Sequence, residues 1–139
     1  RFEGWLKKYV NGWGSCDNIC GSIIGAVIYK YPELISKTVK WRKSKNRWLR
    51  RASAVSLIYS LQKGAQLKIA FEIADTLLLD EDDMVQKGYG WMLKVAADSY
   101  PADVFKYVMK HRKIMPRTAL RYAIEKYPKK KREEAMSKN

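Results

Sequence analysis

The chain has 139 residues, enough for one domain or for a run of stacked repeats sharing one core. A hydrophobic share of 47% sets disorder aside, and 28 Lys+Arg against 14 Asp+Glu leave a net charge of +14. So large a surplus repels itself in a compact fold and suits a polyanionic partner, with nucleic acid ahead of an anionic membrane surface.

No apolar run approaches the roughly 20 residues of a membrane-spanning helix. The longest candidate, 19–31, is interrupted by Cys20, Gly21, Ser22 and Gly25 and closed by Lys30. The opening Arg1-Phe2-Glu3-Gly4 shows no basic-then-apolar leader, and the lack of an initial Met suggests a fragment or a processed product. Two cysteines, Cys16 and Cys20, with one distant His111, fall short of the four soft ligands of a zinc site. Lying across a single helical turn, they are also poorly placed for a disulfide, and they read as small buried side chains in a reducing cytosol. The expectation is a cytoplasmic protein with no metal, no cofactor and no membrane partner.

Helical periodicity dominates and strand alternation is nearly absent, so the fold class is all-α. The first helix is predicted over 2–11, stopped by Gly12 and Gly14, and the second over 18–31, stopped by Pro32. Helices over 33–42 and 47–63 follow, the latter ended by Gly64, and then one over 65–78. The acidic run Asp80-Glu81-Asp82-Asp83 precedes a helix over 83–100, where it suits capping and the helix dipole better than catalysis. Helices over 102–111 and 117–127 come after Pro101 and Pro116. Beyond Pro128 a short basic tail helix is expected to fray.

These segments repeat. Asn46-Arg47-Trp48-Leu49-Arg50-Arg51-Ala52 is echoed by Asp82-Asp83-Met84-Val85-Gln86-Lys87-Gly88 and, more loosely, by Pro116-Arg117-Thr118-Ala119-Leu120-Arg121-Tyr122. Asn46 and Asp82 stand as capping residues, and a basic residue recurs at Arg51, Lys87 and Arg121, about 35 apart. Two-helix units of that length build α-solenoids, because neither helix pair can bury its apolar stripe alone. The second helix of each pair is expected to line the concave, binding side. It would carry Arg47 and Arg51, then Lys87, Trp91 and Lys94, then Arg117 and Arg121, each set on one helical face. Such a column of cations can hold duplex phosphates, although a Lys/Arg run is more commonly a solvated face.

Hydrolytic constellations are mostly missing. One histidine cannot support a Ser-His-Asp arrangement, and Gly88-Tyr89-Gly90 lies inside a helix, where small residues permit close packing. What remains is Trp13-Gly14-Ser15-Cys16-Asp17. By itself Asp17 reads as an N-cap, Trp13 as a loop anchor, and Trp48 and Trp91 as core aromatics.

Three stretches together carry a resemblance. Asn46-Arg47-Trp48-Leu49-Arg50-Arg51-Ala52 is similar to an N-x-W-L-x-R-A motif, and the helix Gln86-Lys87-Gly88-Tyr89-Gly90-Trp91-Met92-Leu93-Lys94 to a Q-K-A-x-G-W-x-L-R pattern. Trp13 to Asp17 matches a W-x-x-x-D signature. In that order and at those separations they resemble the AlkD-like family of DNA alkylation-repair glycosylases, over nearly the whole chain. Departures are Lys at position 94 for Arg and Gly at 88 for Ala.

The resemblance implies a right-handed α-α superhelix of HEAT/ARM-like repeats, a solenoid, with 1–139 as a single repeat domain lacking the N-terminal repeats of family members. It implies a catalytic carboxylate at Asp17, sugar or lesion contacts from Trp13, Trp91 and Arg51, and DNA-backbone binding by Arg47, Lys87, Lys94, Arg117 and Arg121. The implied partner is duplex DNA with alkylated bases, and the implied place is the nucleoid. The reaction would be hydrolysis of the N-glycosidic bond of cationic N3- or N7-alkyl purines. A non-catalytic DNA-binding solenoid and a protein-interaction scaffold for an acidic partner are the alternatives.

Overall fold

The computed structural model describes residues 24–137, in which every regular element is helical. A short α1 (Gly25–Lys30) leads into a 3-10 helix (Pro32–Lys43). Then come α2 (Arg47–Val55), α3 (Ile58–Gln62), α4 (Leu67–Leu77), α5 (Asp83–Ser99), α6 (Pro101–His111), α7 (Arg117–Ile124) and α8 (Lys129–Met136).

The 3-10 geometry of Pro32–Lys43 follows from its side chains. Ile35, Thr38 and Trp41 are buried at a spacing of three, the period of a 3-10 rather than an α-helix. The hydroxyls of Ser36 and Thr38 donate to the carbonyls of Glu33 and Ile35, each three residues back, which holds the turns tight.

The helix predicted over 47–63 is divided in two. Residues 51–58 are all buried, so no solvent face runs through this stretch to mark a single helical axis. Ser53 Oγ donates to the Arg50 carbonyl, and Leu57 N–H bonds Ala54 three residues back, so the chain turns before α3 begins. The stop at Gly64 is as the sequence implied. Gly64 takes φ 78°, its N–H reaches the Leu61 carbonyl and the Ala65 N–H the Ser60 carbonyl, which satisfies the last carbonyls of α3. Pro101 opens α6, and Pro116 and Pro128 stand immediately before α7 and α8.

The repeat seen in the sequence is also a repeat of hydrogen bonds. Asn46 and Asp82 cap α2 and α5 by accepting from the N–H groups of Trp48 and Met84, both at 2.9 Å. Each cap's own N–H is held by a side-chain oxygen two residues earlier, Ser44 Oγ in one unit and Asp80 Oδ1 in the next. Arg50 and Gln86 then reach back six residues to the carbonyls of Ser44 and Asp80. The third copy departs from this: Pro116 precedes α7 with no side-chain cap.

The core runs along α5, which packs against α2, α3, α4, α6 and α7. Val85, Tyr89, Met92, Leu93 and Ala96 are fully buried there, and the Tyr89 hydroxyl donates to the Leu78 carbonyl at 2.8 Å. Two glycines let the row α2–α5–α7 close up. A methyl group on Gly90 would stand 2.7 Å from Tyr122 Cβ and 2.9 Å from the Ala119 carbonyl of α7. One on Gly88 would stand 3.0 Å from Arg51 Cγ of α2. In the other layer, α4 and α6 meet through rings, with Phe71 and Tyr107 stacked at 4.7 Å.

The tail helix does not fray. Ala135 is buried, Arg112 Nη1 donates to the Ser137 carbonyl at 2.6 Å, and Arg117 Nη1 donates to the Met136 carbonyl at 3.2 Å. Two guanidinium groups thus meet the carbonyls and the negative dipole end of α8. Its sequence is polar up to Ala135 and Met136, and the cations that hold it lie on other elements.

Candidate nucleic-acid interface

Beyond Gln86, three side chains of α5 escape burial among buried ones until Asp98: Lys87, Trp91 and Lys94. Spacings of four and three set them on one face, because packing on α2 and α7 leaves the helix a single narrow solvent-facing stripe. Trp91 is half-buried against the core, with its remaining surface between the two lysines.

Each cation on this row is matched to a carboxylate. Arg47 forms a two-point pair with Asp82, at 2.7 Å through Nε and 3.0 Å through Nη2, and its guanidinium lies 4.7 Å from the Trp48 ring centroid. Lys87 pairs with Asp83 one turn earlier at 3.0 Å, and Lys94 with Glu125 beyond α7 at 2.8 Å. Arg50 pairs with Asp80 at 2.8 Å, joining one repeat to the next. The acidic run therefore does more than cap α5: it anchors the arginines of the preceding unit. The signal for this was the separation of 35 residues between Arg47 and Asp82, the length of one repeat.

Electrostatics agree with the geometry. Burial works against ionised Asp82, yet hydrogen bonds from Arg47 and the Met84 amide prevail and hold its pKa below the ordinary carboxylate range. A hydrogen bond from Lys94 lowers that of Glu125, and one to Asp83 raises that of Lys87. Glu125 and Asp83 are mostly exposed, so these pairs are strongly screened.

The remaining sequence-predicted residues divide. Arg51 is only 4% exposed; it lies under Gly88 and donates to the Met84 carbonyl at 2.6 Å. It is a buried strut between α2 and α5, where periodicity alone had put it on an open face. Arg117 is exposed and committed to the Met136 carbonyl of the tail helix, and Arg121 is exposed on α7. Trp13 and Asp17 lie outside the described residues. Among the described residues no group of three or more His, Cys, Asp or Glu could hold a metal ion. No helix among them is long and apolar enough to cross a membrane.

A model of the DNA alkylation repair enzyme family matches residues 1–127. The chain belongs to that family. The match covers the repeats that carry Arg47, Lys87, Trp91 and Lys94, and it takes in Trp13 and Asp17. Comparison with curated proteins finds none that matches. Membership supports a role in DNA repair, with DNA as the substrate.

Proposed function

We propose that this member of the DNA alkylation repair enzyme family is a glycosylase that removes cationic N3- or N7-alkylated purines from duplex DNA. The observation that carries the proposal is the α5 stripe, a half-buried tryptophan between two lysines whose partners, Asp83 and Glu125, are mostly exposed. A phosphate can replace an exposed carboxylate at a lysine with little loss, because such surface pairs contribute only about 0–1 kcal/mol. Lys87 and Lys94, with Arg47 and Arg121, would then clamp the backbone on either side of a nucleotide lying over Trp91. Arg51 would act from beneath, holding α5 in register.

The chemistry needs little acid catalysis. A purine alkylated at N3 or N7 is positively charged, and breaking its N-glycosidic bond gives the electron pair to the ring and leaves a neutral base. The deoxyribose becomes oxocarbenium-like, and a water oxygen bonds to C1′ while its proton is taken up. In this reading Asp17 supplies a carboxylate to stabilise the cation and receive that proton. The faces of Trp13 and Trp91 attract the developing positive charge.

Release of 7-methylguanine from methylated duplex DNA tests the proposal, with Asp17→Asn run alongside. The expected result is loss of release in the variant with DNA affinity kept within a few-fold. Equal loss of binding and release would return Asp17 to the part of a helix cap. DNA binding without any release from the unaltered chain would favour a non-catalytic DNA-binding solenoid.

A further inference from the structure

Away from the basic row, the layer formed by α4 and α6 carries an open groove of about 480 Å³. Its floor is apolar: Leu67 and Phe71 from α4 face Tyr107 of α6. The stacked rings of Phe71 and Tyr107 form its base, and the Tyr107 hydroxyl donates to Asp75 at 2.7 Å. Three exposed lysines line it, Lys68 from α4 and Lys106 and Lys110 from α6, against one carboxylate, Asp103. None of the three lysines has an ion-pair partner among the described residues, unlike Arg47, Lys87 and Lys94 on the other layer.

We propose that this groove binds a short acidic amphipathic peptide segment of a partner protein, seating an apolar side chain on Phe71 and Tyr107 and carboxylates on the lysines. Charge complementarity favours that occupant, since the lining carries a local excess of positive charge around an apolar strip. Lys106 and Lys110 are one helical turn apart, the separation of two acidic residues at i and i+4 on a peptide helix. The volume lies within the about 300–1,000 Å³ of ligand-binding clefts, and a large side chain fills part of it. A nucleic-acid backbone gains nothing from an apolar floor, whereas a peptide side chain does. The groove stands independently of the glycosylase reading.

The test is fluorescence anisotropy of a labelled synthetic peptide carrying glutamates one turn apart beside a tryptophan, with glutamines replacing glutamates in the control. Saturable binding of the acidic peptide alone is expected. It should weaken by about tenfold or more in Lys106→Glu/Lys110→Glu while duplex DNA affinity is kept within about twofold. Lys68→Glu, on the other wall, should act in the same direction and serves if the double variant fails to fold. Equal binding of the control, or an unaltered titration in both variants, overturns the proposal. A fall in DNA affinity by the same factor would instead make the groove a nucleic-acid surface. Concentration-dependent self-association abolished by the same reversals would make it a contact between copies of this chain.

Discussion

Asp82 Oδ1 accepts two hydrogen bonds at once, from the Met84 N–H of its own helix at 2.9 Å and from the guanidinium of Arg47 in the preceding repeat at 3.0 Å. Its other oxygen meets Arg47 Nε at 2.7 Å. One carboxylate thus starts α5 and joins it to α2, so local capping and repeat stacking share a single residue.

Two substitutions separate these roles. Asp82→Ala removes the cap and the ion pair and should cost about 1–2 kcal/mol of stability. Asp82→Asn keeps a capping oxygen and loses the charge and the acceptor that meets Arg47 Nε, so it should cost less. Urea unfolding of both variants checks this, and equal losses would mean that the Arg47 pair matters more than the cap.

The two glycines of α5 should respond differently to alanine. Gly90→Ala drives a methyl group into the backbone carbonyl of Ala119 and should destabilise by about 1–3 kcal/mol. Gly88→Ala meets Arg51 Cγ at 3.0 Å, a side chain that can shift by a few tenths of an ångström. The gain in helix propensity, about 0.5–1 kcal/mol, should offset most of that strain. Thermal melts of the pair should rank Gly90→Ala well below Gly88→Ala.

Tyr89 is wholly buried, and burial pushes its pKa far up, keeping its hydroxyl a neutral donor to Leu78. Tyr89→Phe keeps the ring and strands that carbonyl, at an expected cost of about 1–3 kcal/mol by denaturant titration. Arg51→Ala should likewise reduce stability first, because its guanidinium serves the Met84 carbonyl. A loss of DNA affinity at full stability would show instead that Arg51 meets DNA directly.

The pair of Lys94 and Glu125 predicts a gain. Glu125→Gln frees Lys94 for a phosphate and should tighten duplex DNA binding by up to about fivefold at low salt, with the advantage shrinking as salt rises. An unchanged affinity would place Lys94 off the DNA path.

Acid should loosen the repeat junction. Asp82 and Glu125 have folded pKa values below the ordinary carboxylate range of about 4, so each adds stability at higher pH. That contribution fades as pH falls through the folded values, where the unfolded chain binds protons more readily. Melting temperature should therefore drop below about pH 4, and less steeply in Asp82→Asn than in the unaltered chain.

The sequence by itself determined the all-helical class, the 35-residue repeat, the caps at Asn46 and Asp82, the turn at Gly64 and the proline-punctuated helix starts. All are local: a capping oxygen, a left-handed glycine or a missing N–H acts within a turn of its own residue. It also set Lys87, Trp91 and Lys94 on one face, since 3.6-residue periodicity needs no knowledge of neighbours. Only the tertiary structure decided which faces stay open. Arg51 and Lys87 occupy equivalent positions in their repeats, yet Arg51 is buried under Gly88 and Lys87 is partly exposed. That difference depends on what packs against each helix. The same holds for the tail helix, whose polar sequence gives no sign that Arg112 and Arg117, far back in the chain, hold its C-terminus. Contacts between distant residues depend on how the repeats stack, and stacking is fixed by shape complementarity across helices, which no single helix encodes.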